Sequence, residues 1–170
     1  MRLYTEPSHP TEKLFLSDEE YKRALRAIVR YCHDVVFIDK NDRFLLAERR
    51  PDNFRSGPWF IGGGVKPFTS TIDSLIKTVE RETKLVFAPA RFTFIGQHRY
   101  FFNGGTADLP QDSMCDIFSI HITDEEVATA VLDTGEYVAG SLRAFTGEDI
   151  AKITDPFIQQ VMTDVWNDLH

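Results

Sequence analysis

Three consecutive glycines, Gly62-Gly63-Gly64, end a short apolar run (Trp59, Phe60, Ile61) and stand just ahead of a long amphipathic stretch. Glycine lacks a Cβ, so its backbone can approach a ligand or a neighbouring strand closely. From Ser70 or Thr71 to Lys84, the apolar positions Ile72, Leu75, Ile76 and Val79, with Thr83, recur at helical spacing. A strand, a glycine loop and a helix N-terminus in that order suit an anion such as a phosphate. The same glycines also suit a plain tight turn.

The remaining chain reads as the scaffold for this loop and helix. Ser17-Asp-Glu-Glu20 is a capping box that opens a helix over 18–30. Strands are expected at Tyr31 to Ile38 and Arg43 to Arg49, joined by the turn residues Asp39 to Asp42 as a hairpin. A polar loop follows from Pro51 to Pro58. Further strands are expected from Arg91 to Phe102 and Ser113 to Thr123, with a turn-rich loop from Asn103 to Gln111 between them. A short helical piece begins at Asp124, a last strand covers 141–145, Thr146 caps a short helix, and a terminal helix spans 155–167. This order predicts an α+β fold, a mixed sheet flanked by helices, and not a run of βαβ units. The expected organisation is an N-terminal arm over 1–16 and one domain over 17–170.

The net charge of −7 argues against a nucleic-acid partner. It also means that an anionic ligand needs a bound cation or a local arginine cluster. No apolar run is long enough to span a membrane. Cys32 and Cys115 lie in apolar runs without metal-ligand spacing, which suits buried free thiols in a reducing, cytoplasmic setting. The glycines are contiguous, so the G-x-G-x-x-G dinucleotide pattern fails, and the Walker A pattern is absent.

From Gly63 onward the chain resembles the Nudix box, G-x5-E-x7-R-E-U-x-E-E-x-G-U, without a gap. Gly63 takes the first glycine, Thr69 the first Glu, Lys77 the Arg and Thr78 the Glu beside it. Val79 is the aliphatic residue, Arg81 and Glu82 take the Glu pair, Lys84 the second glycine and Leu85 the last aliphatic. Over roughly 15–150 the chain is similar to the GDP-mannose mannosyl hydrolase branch of that superfamily. Tyr31-Cys-His-Asp34, Phe44 to Arg49, Phe94-Ile-Gly96 and Arg143-Ala-Phe-Thr146 carry the likeness.

The resemblance implies an α/β/α sandwich of the Nudix type and a hydrolase of a nucleoside diphosphate sugar or related diphosphate. It implies Mg²⁺ or Mn²⁺, weakly held by Glu82 and the carbonyl of Gly62. Asp34, His98 and Glu136 join Glu82 as candidate catalytic groups. Arg49, Lys77, Arg81, Gly63 and Asp116 are candidate substrate contacts, and a homodimer is implied. Each has a plainer reading: a solvated carboxylate for Glu82, a solvent-facing arginine for Arg49, a surface histidine for His98. Asp34 either partners an arginine or a substrate, or faces solvent. Thr69, Thr78 and Arg81 stand where the box has acids, Gly64 replaces an arginine of the branch, and Asp133 to Tyr137 lacks its histidine. The alternative is therefore a catalytically impaired module that binds a nucleotide or nucleotide sugar as a sensor, and a weaker one is a purely structural interaction domain.

Overall fold

The computed structural model describes residues 15–52, 55–102 and 111–170. Most of the expected arm and the Asn103 to Pro110 loop lie outside these residues. The elements are α1 (Asp18–Ala27), β1 (Arg30–Ile38), β2 (Phe44–Arg49), β3 (Gly57–Trp59), β4 (Ile61–Gly64), α2 (Thr71–Thr83), β5 (Thr93–Phe102), β6 (Gln111–His121), α3 (Asp124–Thr129), β7 (Arg143–Phe145) and α4 (Pro156–Leu169). Short 3₁₀ turns cover Pro89–Arg91 and Gly147–Lys152. The Ser17–Glu20 capping box forms as expected.

The seven strands make one mixed sheet in the order β3-β2-β1-β6-β5, with β4 added to β1 and β7 to β2. β1 is the central strand and is buried from Cys32 to Ile38. Along one edge it pairs in parallel with β6. Along the other edge it pairs first with β4 (Cys32 to Val35) and then with β2 (Phe37 and Ile38).

Alternation along the strands divides the core into two layers. Val35, Phe37, Leu45, Ala47, Phe118 and Ile120 pack with Leu75 and Val79 of α2 on one face. Val36, Ile38, Phe44, Leu46 and Ile117 pack with Phe157, Val161 and Val165 of α4 on the other. Phe157 meets the rings of Trp59, Phe60, Tyr100 and Phe102 at 4.0–6.3 Å, an aromatic cluster at the centre of this layer. This is the expected α+β sandwich, a mixed sheet between helices.

One local expectation is corrected. Gly62 to Gly64 do not form a loop but strand β4, antiparallel to β1 with Gly62 opposite Asp34. The close backbone approach they permit is made to a neighbouring strand. The loop is the stretch after them, fixed where Ser74 Oγ accepts from Lys66 N at 3.0 Å.

Helix α2 begins at the Ser70 cap, where the hydroxyl accepts from Asp73 N, and ends at Lys84 in the left-handed conformation, φ 61°. Lys84 occupies the position of the second glycine of the box, and its backbone has the geometry that glycine favours. A non-glycine residue there is strained. Lys84→Gly is expected to raise stability by about 0.5–1 kcal/mol, read as a higher urea midpoint at unchanged slope.

Candidate functional site

Glu82 projects from the last turn of α2 and is 2% exposed. Both carboxylate oxygens are engaged by the protein. The Arg81 guanidinium donates to Oε1, and the Tyr137 hydroxyl lies 2.9 Å from Oε2. That hydroxyl is also 3.3 Å from the Phe60 carbonyl oxygen. Burial raises the pKa of Glu82, while the Tyr137 bond and Arg81 oppose the rise and Glu136 adds to it. Tyr137 is itself pushed well up, chiefly by burial and then by the Glu82 charge.

The segment that carries Tyr137 is stitched to two elements. Val131 N donates to Thr83 O and Asp133 N to Glu82 O, both at 2.8 Å, fixing its start to the end of α2. Val138 N donates to Glu48 O at 2.8 Å and Arg50 N to Glu136 O at 3.2 Å, fixing its end to β2. Glu136 thereby comes to 3.6 Å from the guanidinium of Arg49, which also lies 5.4 Å from the Trp59 ring centre. Two arginines, two carboxylates and a phenol from α2, β2 and the 131–138 segment thus share one neighbourhood.

These residues do not fit a divalent cation. No group of three or more His, Cys, Asp or Glu side chains able to hold a metal occurs among the described residues. The oxygens of Glu82 that would ligate it are taken by Arg81 and Tyr137, and a guanidinium lies beside them. The Gly62 carbonyl belongs to the strand that pairs with β1. The carbonyl that the cluster reaches, through Tyr137, is that of Phe60.

The other predicted residues divide between places. Lys77 is exposed on α2 one turn before Arg81, and Lys84, the left-handed residue that ends the helix, turns its ammonium back to donate to the Arg81 carbonyl oxygen at 3.0 Å. Gly63 sits in β4 opposite His33. Asp34 points to the α4 face, where the Cys115 thiol donates to it at 3.2 Å. Burial pushes the Asp34 pKa up to about 6, and the Cys115 bond, Arg49 and Arg30 hold it back. The Asp34 charge is felt in the cluster at both Arg49 and Tyr137.

His98 is not brought to the cluster. It lies against α4, 3.1 Å from Asp164 and edge-on to Phe157. Asp116 is on the α2 face but accepts from Tyr31 and Gln97, and Tyr31 in turn touches Thr71. Thr71 is the first residue of α2, roughly 16 Å along the axis from Glu82 at 1.5 Å per residue.

Sequence reasoning missed Tyr137, whose only signal was its place beside Glu136 in a turn-rich stretch. It also missed His33, fully buried with Nε2 3.0 Å from Ser74 Oγ. Burial lowers the His33 pKa to about 4, so the ring is neutral at physiological pH.

No protein-family model matches the chain, and no curated protein matches it by sequence. Solved structures do match. The MutT protein of Methanosarcina mazei superposes with a TM-score of 0.66 at 15% identity, over 82% of this chain and 94% of that one. The Nudix domain of Shewanella oneidensis NrtR, complexed with ADP ribose, gives 0.62 at 12%, over 91% and 100%. A C. elegans Ap4A hydrolase in a binary complex gives 0.60 at 16%, over 83% and 98%. At these identities the likeness is one of architecture. With its mixed sheet held between α2 and α4, this chain has the Nudix fold.

Proposed function

We propose that the chain binds a nucleoside diphosphate derivative, a nucleotide sugar or a dinucleotide, as a catalytically impaired Nudix-fold module. One observation carries this reading: the Glu82 carboxylate is closed by Arg81 and Tyr137 while Arg49 brings a second guanidinium to the same cluster. Guanidinium groups match phosphate oxygens in geometry and charge. Lys77 on α2 and Lys84 at its end add positive charge beside Arg81 on a chain whose net charge is −7. The ADP ribose and Ap4A in the names of the similar structures are ligands of this class.

A titration calorimetry panel of nucleotide sugars, ADP-ribose and dinucleotides, with product analysis of the same samples, tests it. Saturable binding without product is expected, weakened about tenfold or more by Arg49→Ala. Turnover by the unmodified chain overturns the impaired-module reading.

A second reading, a Nudix-type hydrolase, is supported by Glu136. Its side chain is 44% exposed and faces Arg49, which suits a base acting on a water beside a bound diphosphate. On that reading Glu136→Gln abolishes product formation and leaves ligand binding in place.

A further inference from the structure

Resting on the reading that this site takes a diphosphate, we propose that Arg81 supplies its fixed positive charge, so that the ligand binds without a divalent cation. The charge arrangement carries the inference. Glu82 is the buried carboxylate of the site, and its charge is already answered by a guanidinium on one oxygen and a phenol on the other. A divalent ion placed on Glu82 would have to displace Arg81 and then sit beside it, and like charges at contact repel strongly.

Arg81 is built for both tasks. Its side chain is 49% exposed although its partner is 3% exposed. A guanidinium carries five N–H donors in a fixed fork, so a bond to Glu82 leaves others for an anion. Lys77 lies one turn before it on the exposed face of α2, the Lys84 ammonium sits on the Arg81 carbonyl oxygen at 3.0 Å, and Arg49 is joined to Tyr137 by a β-bridge and lies 3.6 Å from Glu136. The site therefore offers an anion a set of cations that the chain itself provides.

The Arg81 position also decides which of two cations the site can hold. A carboxylate there removes the competing guanidinium, frees Glu82 Oε1 and adds a neighbouring oxygen ligand. Because Arg81 is half-exposed, Arg81→Glu and the length-preserving Arg81→Gln are expected to fold.

Two measurements on the full chain test this. The first titrates Mn²⁺ alone and follows the bound ion by electron paramagnetic resonance. The unmodified chain is expected to bind none, and Arg81→Glu to bind it saturably. Saturable Mn²⁺ binding by the unmodified chain overturns the proposal, and so does failure of folded Arg81→Glu to bind it. The second titrates inorganic pyrophosphate and ADP-ribose in EDTA and again in Mg²⁺. Affinities that agree within about twofold between the two conditions, and fall about tenfold or more in Arg81→Gln, support the proposal. A gain of about tenfold or more with Mg²⁺ overturns it while leaving the diphosphate reading intact. Absence of binding in both conditions overturns that reading instead, and the Mn²⁺ titration then decides the charge assignment on its own.

Discussion

Replacing Gly62 with alanine is expected to destabilise the fold by about 3–5 kcal/mol, the range of severe core lesions. A Cβ on Gly62 would lie 2.0 Å from Asp34 Oδ1, 2.3 Å from the His33 carbonyl oxygen and 2.8 Å from the Asp34 Cα. The Asp34 side chain could turn aside, but the other two atoms are backbone of the central strand. Relief would require β4 to move away from β1, and the pairing from Cys32 to Val35 would be lost with it. Gly64→Ala, two residues along on the same strand, is the control. Its Cβ would meet only the Arg30 guanidinium, at 3.2 Å, and a flexible side-chain end gives way. Its stability is expected to stay within about 1 kcal/mol of the parent chain. Urea unfolding of the two variants side by side measures the contrast, and equal losses would refute the steric account.

Asp34→Asn is expected to stabilise the protein above pH 6 by about 3 kcal/mol, the energy of a shift from 3.8 to about 6. The carboxyl is 4% exposed, so little solvent screening discounts this value. Its folded pKa lies above its unfolded value, so the fold favours the protonated acid. Below about pH 3.8 the group has no destabilising effect. Between there and about 6 stability falls as pH rises, and above about 6 the whole loss persists. Asparagine keeps an oxygen to accept from Cys115 and removes the ionisation. The unfolding free energy of the variant minus that of the parent should grow from pH 4 to about 6 and then level off, because the slopes of Glu82 (same sense as Asp34) and His33 (opposite sense) are common to both proteins. Identical slopes in the two proteins would sink the assignment.

Helix α2 was legible because its apolar stripe is strongly periodic and its N-cap is explicit. The central strands were legible because β-branched and aromatic residues crowd into short runs. Strand β4 was not, since glycine carries no strand signal; its conformation is imposed by β1, which leaves no room for a side chain at Gly62. The Arg81–Glu82 contact was not legible either, because adjacent helical residues do not normally face one another. Here the long arginine side chain folds back over its neighbour. Tyr137 reaches Glu82 across 55 residues of sequence, a distance at which local pattern is silent. His98 was placed near the site because a period of two shows that a strand has two faces and not which helix covers each. The register of β5 on β6 turns His98 towards α4.

The stitching of residues 131–138 bears on how a ligand is received. Glu136 and Tyr137 hang from a segment bonded at one end to Thr83 and Glu82 and at the other to Glu48 and Arg50. Such a segment cannot fold over a guest without giving up backbone hydrogen bonds at both ends. The entropy of ordering these side chains is spent when the chain folds, and little of it remains to be lost at encounter. On the proposed function, recognition at this surface is a matter of fit to a preformed mould, with discrimination between ligands set by shape and charge and not by closure.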